Sequence, residues 1–188
     1  MFLIGLGKAD ITAYKKGVGM LGYAMYFHTM EGIETSLYAR AFVIINPDTK
    51  AKQVLVNCEL GFITNALKKG VLAEIEKQNL GYDDETLMLT AQHTHSGPAG
   101  FAYYGLYNIS VPGFVEEVYS KIVSGIVEAI KDAEKNVQKG HISFAKGEFE
   151  LAKNVAFNRS MKQYNTNPEV TEKLTPQTLN KGVNREMY

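Results

Sequence analysis

The chain has a single cysteine, Cys58, among its 188 residues, so no disulfide can form within it. Cys58 ends an apolar run, where a free cysteine usually behaves as a small buried hydrophobic residue; a nucleophilic thiol is the alternative. The chain also lacks an excess of charge of either sign, because 20 basic residues balance 20 acidic ones. This balance, with basic residues scattered along the chain, gives no electrostatic reason to expect nucleic acid or an anionic membrane as a partner.

Long hydrophobic runs are missing as well. The apolar N-terminal stretch 1–7 is too short for a signal sequence and has no basic residues before it. No run reaches the length of a transmembrane helix. We therefore expect neither a signal peptide nor a transmembrane segment in the chain as given, and the cellular compartment stays open. Apolar residues nevertheless make up 45% of the chain, enough to bury a core.

The first two thirds of the chain predict a mixed sheet. Strands are expected at 2–7, 37–45 and 53–57, and the turn around Pro47 joins the last two as an antiparallel hairpin. A helix at 63–78 leads into a buried strand at 86–91, which predicts a right-handed βαβ unit with parallel strands. The region 13–35 is expected to be a long structured loop, and loops of this length are usually functional.

A second helix of more than twenty residues is predicted, with Pro112 in its first turn, an apolar face marked from Val115 to Ala133, and Gly140 closing it. A strand is expected at 141–150, and the chain after Leu151 is polar and irregular. The predicted fold class is therefore α/β, with a mixed β-sheet core, a βαβ unit and outer helices.

The strand 86–91 runs into the segment Gln-His-Thr-His-Ser-Gly-Pro at 92–98. Sites in open α/β sheets form beyond the carboxyl ends of parallel strands. Residues two apart in an extended segment point to the same side, so His93 and His95 are expected to face one pocket. Zinc needs about four ligands, and two histidines supply only part of such a set. The spacing alone leaves two interpretations open, a metal site or a hydrogen-bonded loop.

Aromatic residues are concentrated shortly after this loop. A hydrophobic groove for a lipid could be lined by them, but the interpretation that we favour is core packing. The residues concerned are Phe101, Tyr103, Tyr104, Tyr107 and Phe114.

Several blocks in order make the chain resemble the neutral/alkaline (non-lysosomal) ceramidase family along nearly its whole length. The loop motif followed by Gly-Pro is the most specific of them. The blocks are 5–12 (GLGKADIT), 20–24 (MLGYA), 37–42 (LYARAF), 57–61 (NCELG), 93–100 (HTHSGPAG) and 158–160 (NRS).

The resemblance implies a zinc-dependent amidohydrolase that cleaves the amide of ceramide into a sphingoid base and a fatty acid. It implies that His93 is a zinc ligand and that His95 and Arg159 belong to the catalytic site. Zinc would activate a water molecule and polarise the amide carbonyl. A guanidinium can hold a carboxylate or a developing oxyanion.

Two departures from the family pattern concern acidic residues. Glu59 stands where the family usually has Asp; it is expected either to orient a liganding histidine or to form an ion pair at the strand end. Glu34 stands where a histidine is common.

The larger departure is length. The resemblance places the remaining zinc ligands, a second His, a Glu and a Tyr, beyond Tyr188, together with an active-site Ser. We therefore expect residues 1–188 to be the N-terminal part of a catalytic domain. The expected partners are a ceramide-like lipid and either a missing C-terminal portion or a second copy of the chain.

Two alternatives to a ceramidase remain. One is a non-catalytic lipid-binding remnant of the fold. The other is a different metal-dependent amidase or esterase on the same scaffold.

Overall fold

The computed structural model describes residues 1–108, 113–150 and 156–188. They form two compact units, Met1–His141 and Ile142–Tyr188. The first unit contains strands β1 (Phe2–Asp10), β2 (Tyr38–Ile45), β3 (Lys52–Cys58), β4 (Leu87–Ala91) and β5 (Gln138–Gly140), and helices α1 (Asn65–Lys77) and α2 (Glu116–Lys135). The second contains α3 (Met161–Thr166) and strands β6 (Gly147–Glu148) and β7 (Glu186–Met187).

The first unit is built on a five-stranded mixed sheet in the order β4-β3-β2-β1-β5. Strands β1, β2 and β3 pair antiparallel, whereas β3 and β4 pair parallel, with Val54 opposite Leu87 and Cys58 opposite Ala91. Helix α1 is the crossover between β3 and β4, as the alternation of strand and helix signals predicted. The predicted fold class, including the hairpin and the βαβ unit, is confirmed.

Helix α2 lies directly against β1 because two strand residues have no side chain. A Cβ at Gly5 would lie 2.1 Å from the carbonyl oxygen of Ala133, and one at Gly7 would lie 2.1 Å from that of Ala129. Ala39 and Ala41 extend this small-residue surface onto β2 and are buried. Helix α2 packs three fully buried isoleucines against this small-residue surface, at the spacing expected of an amphipathic helix. They are Ile122, Ile126 and Ile130.

The beginning of α1 is tied to the loop that carries the histidines. Thr64 caps the helix, because its hydroxyl oxygen accepts from the backbone N–H of Leu67 at 3.1 Å. The same hydroxyl donates to the carbonyl oxygen of Phe101 at 3.2 Å. Both bonds are buried, so the helix start and residue 101 hold a common position in the core.

The end of α2 and the region after it differ from the prediction. The helix ends at Lys135 rather than Gly140, and Gly140 instead ends β5, which pairs with Phe2 of β1. Of the strand predicted at 141–150, only Gly147–Glu148 is a strand. The pairing of β5 with β1 joins residues that are far apart in the sequence, so the helical periodicity of this segment does not predict it. Pro112, predicted in the first turn of α2, lies outside the described residues, as does the segment 151–155.

The second unit has little regular structure, in line with its polar sequence. Strands β6 and β7 pair antiparallel, with Gly147 opposite Met187. Asn165 organises the middle of the unit, since its amide donates to and its carbonyl accepts from the backbone of Leu174. In the part of the chain that the structure describes, no helix has the length and apolar character needed to cross a membrane.

Candidate active site

The candidate site lies where two parallel strands end side by side. The backbone N–H of Gln92, just after β4, donates to the carbonyl of Cys58 at the end of β3, at 3.1 Å. The N–H of Thr94 donates to the carbonyl of Leu60 at 3.2 Å. The two strand-end loops are therefore bonded together at the carboxyl edge of the sheet, where the sequence placed the chemistry.

His93 has an uncommon backbone conformation and a fixed ring. Its φ of 63° lies in the left-handed region, which non-glycine residues rarely adopt and which concentrates at functional sites. Its Nδ1 lies 2.6 Å from the carbonyl oxygen of Gly61. A carbonyl can only accept, so Nδ1 carries the proton and a neutral ring keeps its lone pair on Nε2.

His95 completes a pair of imidazoles. Its Nε2 lies 3.1 Å from Nε2 of His93, and the two rings are nearly perpendicular, at 81°. Because His93 Nε2 is the acceptor, His95 Nε2 must be the donor in this arrangement. The structure brings the rings together as expected, but along a different backbone path, because His93 is not extended.

The loop 13–35 packs over the histidines and makes room for His95. Gly22 has a φ of 125°, and a Cβ there would lie 2.4 Å from Cγ of His95. The ring of Tyr23 contacts the His95 ring edge-on, with centroids 4.9 Å apart. The loop is fastened by backbone bonds from Leu21 to Gly97 and from Ala99 to Gly19.

Gly61, whose carbonyl binds His93, also allows a close approach because it has no side chain. A Cβ on Gly61 would lie 2.2 Å from Cδ2 of Leu21, so its lack of a side chain lets the loop 13–35 approach the carbonyl that binds His93. Gly22, Tyr23 and Gly61 were not recognised as site residues from the sequence. All three lie in the blocks at 20–24 and 57–61 that carry the family resemblance. Membership of these blocks was the only feature of the sequence that could have identified them as site residues.

Glu59 forms the ion pair rather than orienting a histidine. Its carboxylate accepts from Arg40 Nη1 at 2.6 Å and from the backbone N–H of Tyr38 at 2.8 Å. The histidine-orienting role is instead performed by the main-chain carbonyl of Gly61. Cys58, the residue before Glu59, is fully buried, and burial raises the pKa of its thiol from 9.0 to about 12. This environment suits a packing residue and not a thiolate nucleophile.

The donor set fits part of a zinc site. Two imidazole nitrogens face each other, and His93 has the outer hydrogen bond that zinc-binding histidines usually have. Among the described residues, no group of three or more His, Cys, Asp and Glu side chains surrounds a possible ion position. A zinc ion bound by His93 would therefore need further ligands from elsewhere.

Arg159 belongs to the second unit and is described there by itself. It is exposed, and no described residue forms an ion pair with it. Asn158 anchors the segment by donating to the carbonyl of Gly182 at 3.1 Å, and its side-chain oxygen accepts from the N–H of Ser160. These bonds hold the turn from which the Arg159 guanidinium extends.

The aromatic residues after the histidine loop are mostly exposed, so the core-packing prediction is wrong for three of them. Phe101 is buried as expected, whereas Tyr103, Tyr104 and Tyr107 are about half exposed or more. The loop between the histidines and α2 runs over the surface, which strand and helix patterns do not reveal. A cavity of about 500 Å³ lies under Tyr103 and Tyr104, and another of about 340 Å³ borders the histidine loop at 96–98.

The paired imidazoles lie at the carboxyl edge of a mixed α/β sheet. The chain is therefore one of the α/β proteins whose sites are formed by the loops that follow the strands. Residues 2–187 match the model of a family described as "Neutral/alkaline non-lysosomal ceramidase, N-terminal". The chain belongs to this family.

The chain is similar to curated neutral ceramidases from distant organisms. It is 41% identical to that of Pseudomonas aeruginosa over 90% of this chain and 25% of the relative. It is 32% identical to that of Mycobacterium tuberculosis, over 95% of this chain and 28% of the relative. The crystal structure of the Pseudomonas aeruginosa neutral ceramidase superposes with a TM-score of 0.87 at 38% identity, over 98% of this chain and 28% of that one. The chain thus spans about a quarter of the length of these relatives.

Proposed function

We propose that the protein is a zinc-dependent amidohydrolase that cleaves the N-acyl amide of ceramide into a sphingoid base and a fatty acid. The observation that carries the proposal is the ring of His93, which is fixed by Gly61 so that the lone pair of Nε2 faces His95. Family membership connects this geometry with ceramide, since the curated relatives are named neutral ceramidases.

We give His93 and His95 different roles because the ring proton lies on Nδ1 of His93 and on Nε2 of His95. His93 would hold the zinc ion through Nε2, and a bound zinc ion supplies an activated water and polarises a carbonyl. A zinc ion on His93 Nε2 would take the place towards which the His95 N–H points in this structure. The His95 ring would therefore have to turn away, and its N–H could then donate to an oxygen of the substrate. One well-placed donor to a developing oxyanion contributes about 10²- to 10³-fold to the rate.

Arg159 is assigned to the same reaction through its position in the Asn-Arg-Ser block. A guanidinium can hold a developing oxyanion, or the fatty-acid carboxylate that the reaction releases. The anchored turn of Asn158 supports this role, because it fixes the backbone while leaving the guanidinium exposed.

The test uses the complete product of the gene that encodes this chain. Zinc content and ceramide hydrolysis are measured for the parent, His93→Ala and His95→Ala. We expect His93→Ala to lose both, and His95→Ala to retain zinc while its rate falls at least about 100-fold. The matched control is His141→Ala, because His141 is exposed and has no contact with the histidine pair. A His93→Ala variant that keeps full zinc and full activity would overturn the proposal.

The substrate class is tested by comparing ceramide with short N-acyl amides and with esters of the same acyl chain. Preferential cleavage of ceramide supports the proposal. Faster cleavage of short amides or esters would point to a different metal-dependent amidase or esterase on this scaffold.

One observation favours a second candidate, a non-catalytic lipid-binding domain. The described residues bring only two potential zinc ligands together at this site, fewer than a tight catalytic site needs. This candidate predicts a complete gene product that purifies without zinc and binds ceramide equally well with His93→Ala.

A further inference from the structure

Two exposed apolar segments flank the histidine pair. The first is the tip of the loop 13–35, where Tyr26 is 81% exposed. The second follows the histidine loop, where Leu106 is 74% exposed. We call these segments together the aromatic rim, which consists of Tyr23, Met25, Tyr26, Phe27, Tyr103, Tyr104, Leu106 and Tyr107.

Each segment of the aromatic rim is connected to one of the two histidines. Tyr23 contacts the His95 ring, with centroids 4.9 Å apart. Tyr107 contacts Phe62, with ring centroids 4.8 Å apart, and Phe62 directly follows Gly61, whose carbonyl binds His93. The first segment of the rim therefore contacts the candidate site directly, and the second is linked to it through Phe62.

The first segment is the tip of a small hairpin. Backbone bonds join Met20 to His28 and Met30 to Val18, and the tip is closed by a bond from the N–H of His28 to the carbonyl of Met25 at 3.0 Å. The exposed side chains Tyr26 and Phe27 thus project from a backbone that is hydrogen-bonded at its base. Such a tip can enter an apolar layer without leaving its whole backbone unpaired.

The sequence around the rim has no charged residue. Neither 17–30 nor 86–115 contains Asp, Glu, Lys or Arg, whereas 21% of the whole chain is charged. The two segments therefore contribute no charge of their own to attract anionic lipid headgroups, and the lysine that the structure places beside them is Lys69, which lines the cavity under Tyr103 and Tyr104. Exposed Tyr and Phe side chains without charges instead match the uncharged boundary between headgroups and acyl chains, where amphipathic aromatic rings are favoured.

We propose that the aromatic rim docks onto the surface of a zwitterionic lipid bilayer. The rings of Tyr26 and Phe27 enter the boundary between headgroups and acyl chains, and Leu106 enters it from the second segment. Docking in this position brings the histidine pair to the membrane surface. The inference rests on the proposed function, because a ceramide substrate resides in a bilayer.

The test is flotation of the complete gene product with uncharged phosphatidylcholine vesicles that contain no ceramide. We expect the parent to float and the double variant Tyr26→Ser, Phe27→Ser to bind at least about tenfold more weakly, because about 1.4 kcal/mol of apolar burial is lost. The matched control is Phe144→Ser, because Phe144 is also 81% exposed but lies in the second unit. Leu106→Ser provides a second variant on the other segment.

Catalysis and folding are followed in the same variants. The double variant should hydrolyse a short soluble N-acyl amide at the parental rate while hydrolysis of ceramide in vesicles falls. An unchanged melting temperature excludes a folding defect as the cause. Equal binding by the parent and by both rim variants would overturn the proposal, and so would binding that requires anionic lipid and disappears in 0.5 M salt, a concentration at which screening is strong.

The two proposals fail in different ways. The His93→Ala variant should float like the parent, so a protein that floats but hydrolyses nothing contradicts only the proposed function. A protein that cleaves ceramide in preference to short amides but never floats contradicts only the membrane proposal. Dimers that dissociate in the double variant, without vesicle binding, would show that a second copy of the chain covers the rim instead.

Discussion

Glycines allow close approach in two regions of this molecule, with different consequences. On β1, an added Cβ at Gly7 would meet backbone atoms of α2, at 2.1 Å from Ala129 O and 2.3 Å from Ala133 N. Beside the histidines, an added Cβ at Gly22 would meet a side chain, Cγ of His95 at 2.4 Å. Backbone of a packed helix cannot move without separating two layers, whereas an imidazole can rotate away. The first region therefore determines whether the chain folds, and the second determines where a functional ring lies.

The largest effect is expected from Gly7→Ala. The new methyl group can be accommodated only if α2 moves off the sheet, so the free energy of unfolding should fall by about 3 kcal/mol or more. The measurement is a urea denaturation curve followed by circular dichroism. Gly32→Ala is the control, since no atom lies within 4 Å of its added Cβ. A loss below about 1 kcal/mol would show that the β1–α2 contact can adjust, which would remove the distinction between the two regions.

The second effect is expected from Gly22→Ala. The methyl group displaces His95, and misplacing a catalytic group by about 1 Å can cost about 100-fold in rate. Stability should fall by only about 1–3 kcal/mol, because alanine must adopt a φ near 125°. Zinc content should not change, since His93 is held by Gly61. The measurements are ceramide hydrolysis and zinc content of the complete gene product, with Gly32→Ala as the control from the same loop.

Loss of zinc together with activity in Gly22→Ala would contradict this separation of roles. It would mean that His95 helps to hold the metal, and that the two histidines act as one unit.

The third effect is a change of the free energy of unfolding with pH, and it comes from Cys58 at the end of β3. Burial raises the pKa of Cys58 from 9.0 in the unfolded chain to about 12 in the folded one. Below pH 9 the thiol is protonated in both states, so its contribution is fully present. Between pH 9 and 12 the unfolded state loses the proton first, so stability should fall by about 1.4 kcal/mol per pH unit.

The measurement for this third effect compares the free energy of unfolding of the parent and of Cys58→Ala from pH 8 to 11. The difference between them should change above pH 9, because alanine has no proton to lose. A constant difference across this range would show that the thiol is not buried against the core as the structure has it.

The sequence predicted much of the first unit because its elements have local periodicity. Helix α1, the β2–β3 hairpin and the parallel pair β3–β4 were all expected, each from side-chain patterns within a single segment. The errors occurred where pairing is non-local. Gly140 was assigned to the end of a helix but ends β5, since β5 is defined only by its bonds to β1, more than 130 residues earlier.

The sequence patterns also did not predict which aromatic side chains are exposed. Tyr103, Tyr104 and Tyr107 have the composition of a core, and their exposure depends on the path of the loop over the surface. The same exposure is what makes them available for the proposed contact with a membrane.

The sequence by itself determined the family, the mixed sheet and the position of His93 and His95 after a strand that ends at the carboxyl edge. Strand alternation and ordered motif blocks are properties of contiguous residues, so no tertiary information was needed. Only the tertiary structure decided how the rings are held, because Gly61 is 32 residues from His93 and Gly22 lies in a separate loop. Close approach between such distant backbone segments is a property of packing, and no local pattern encodes it.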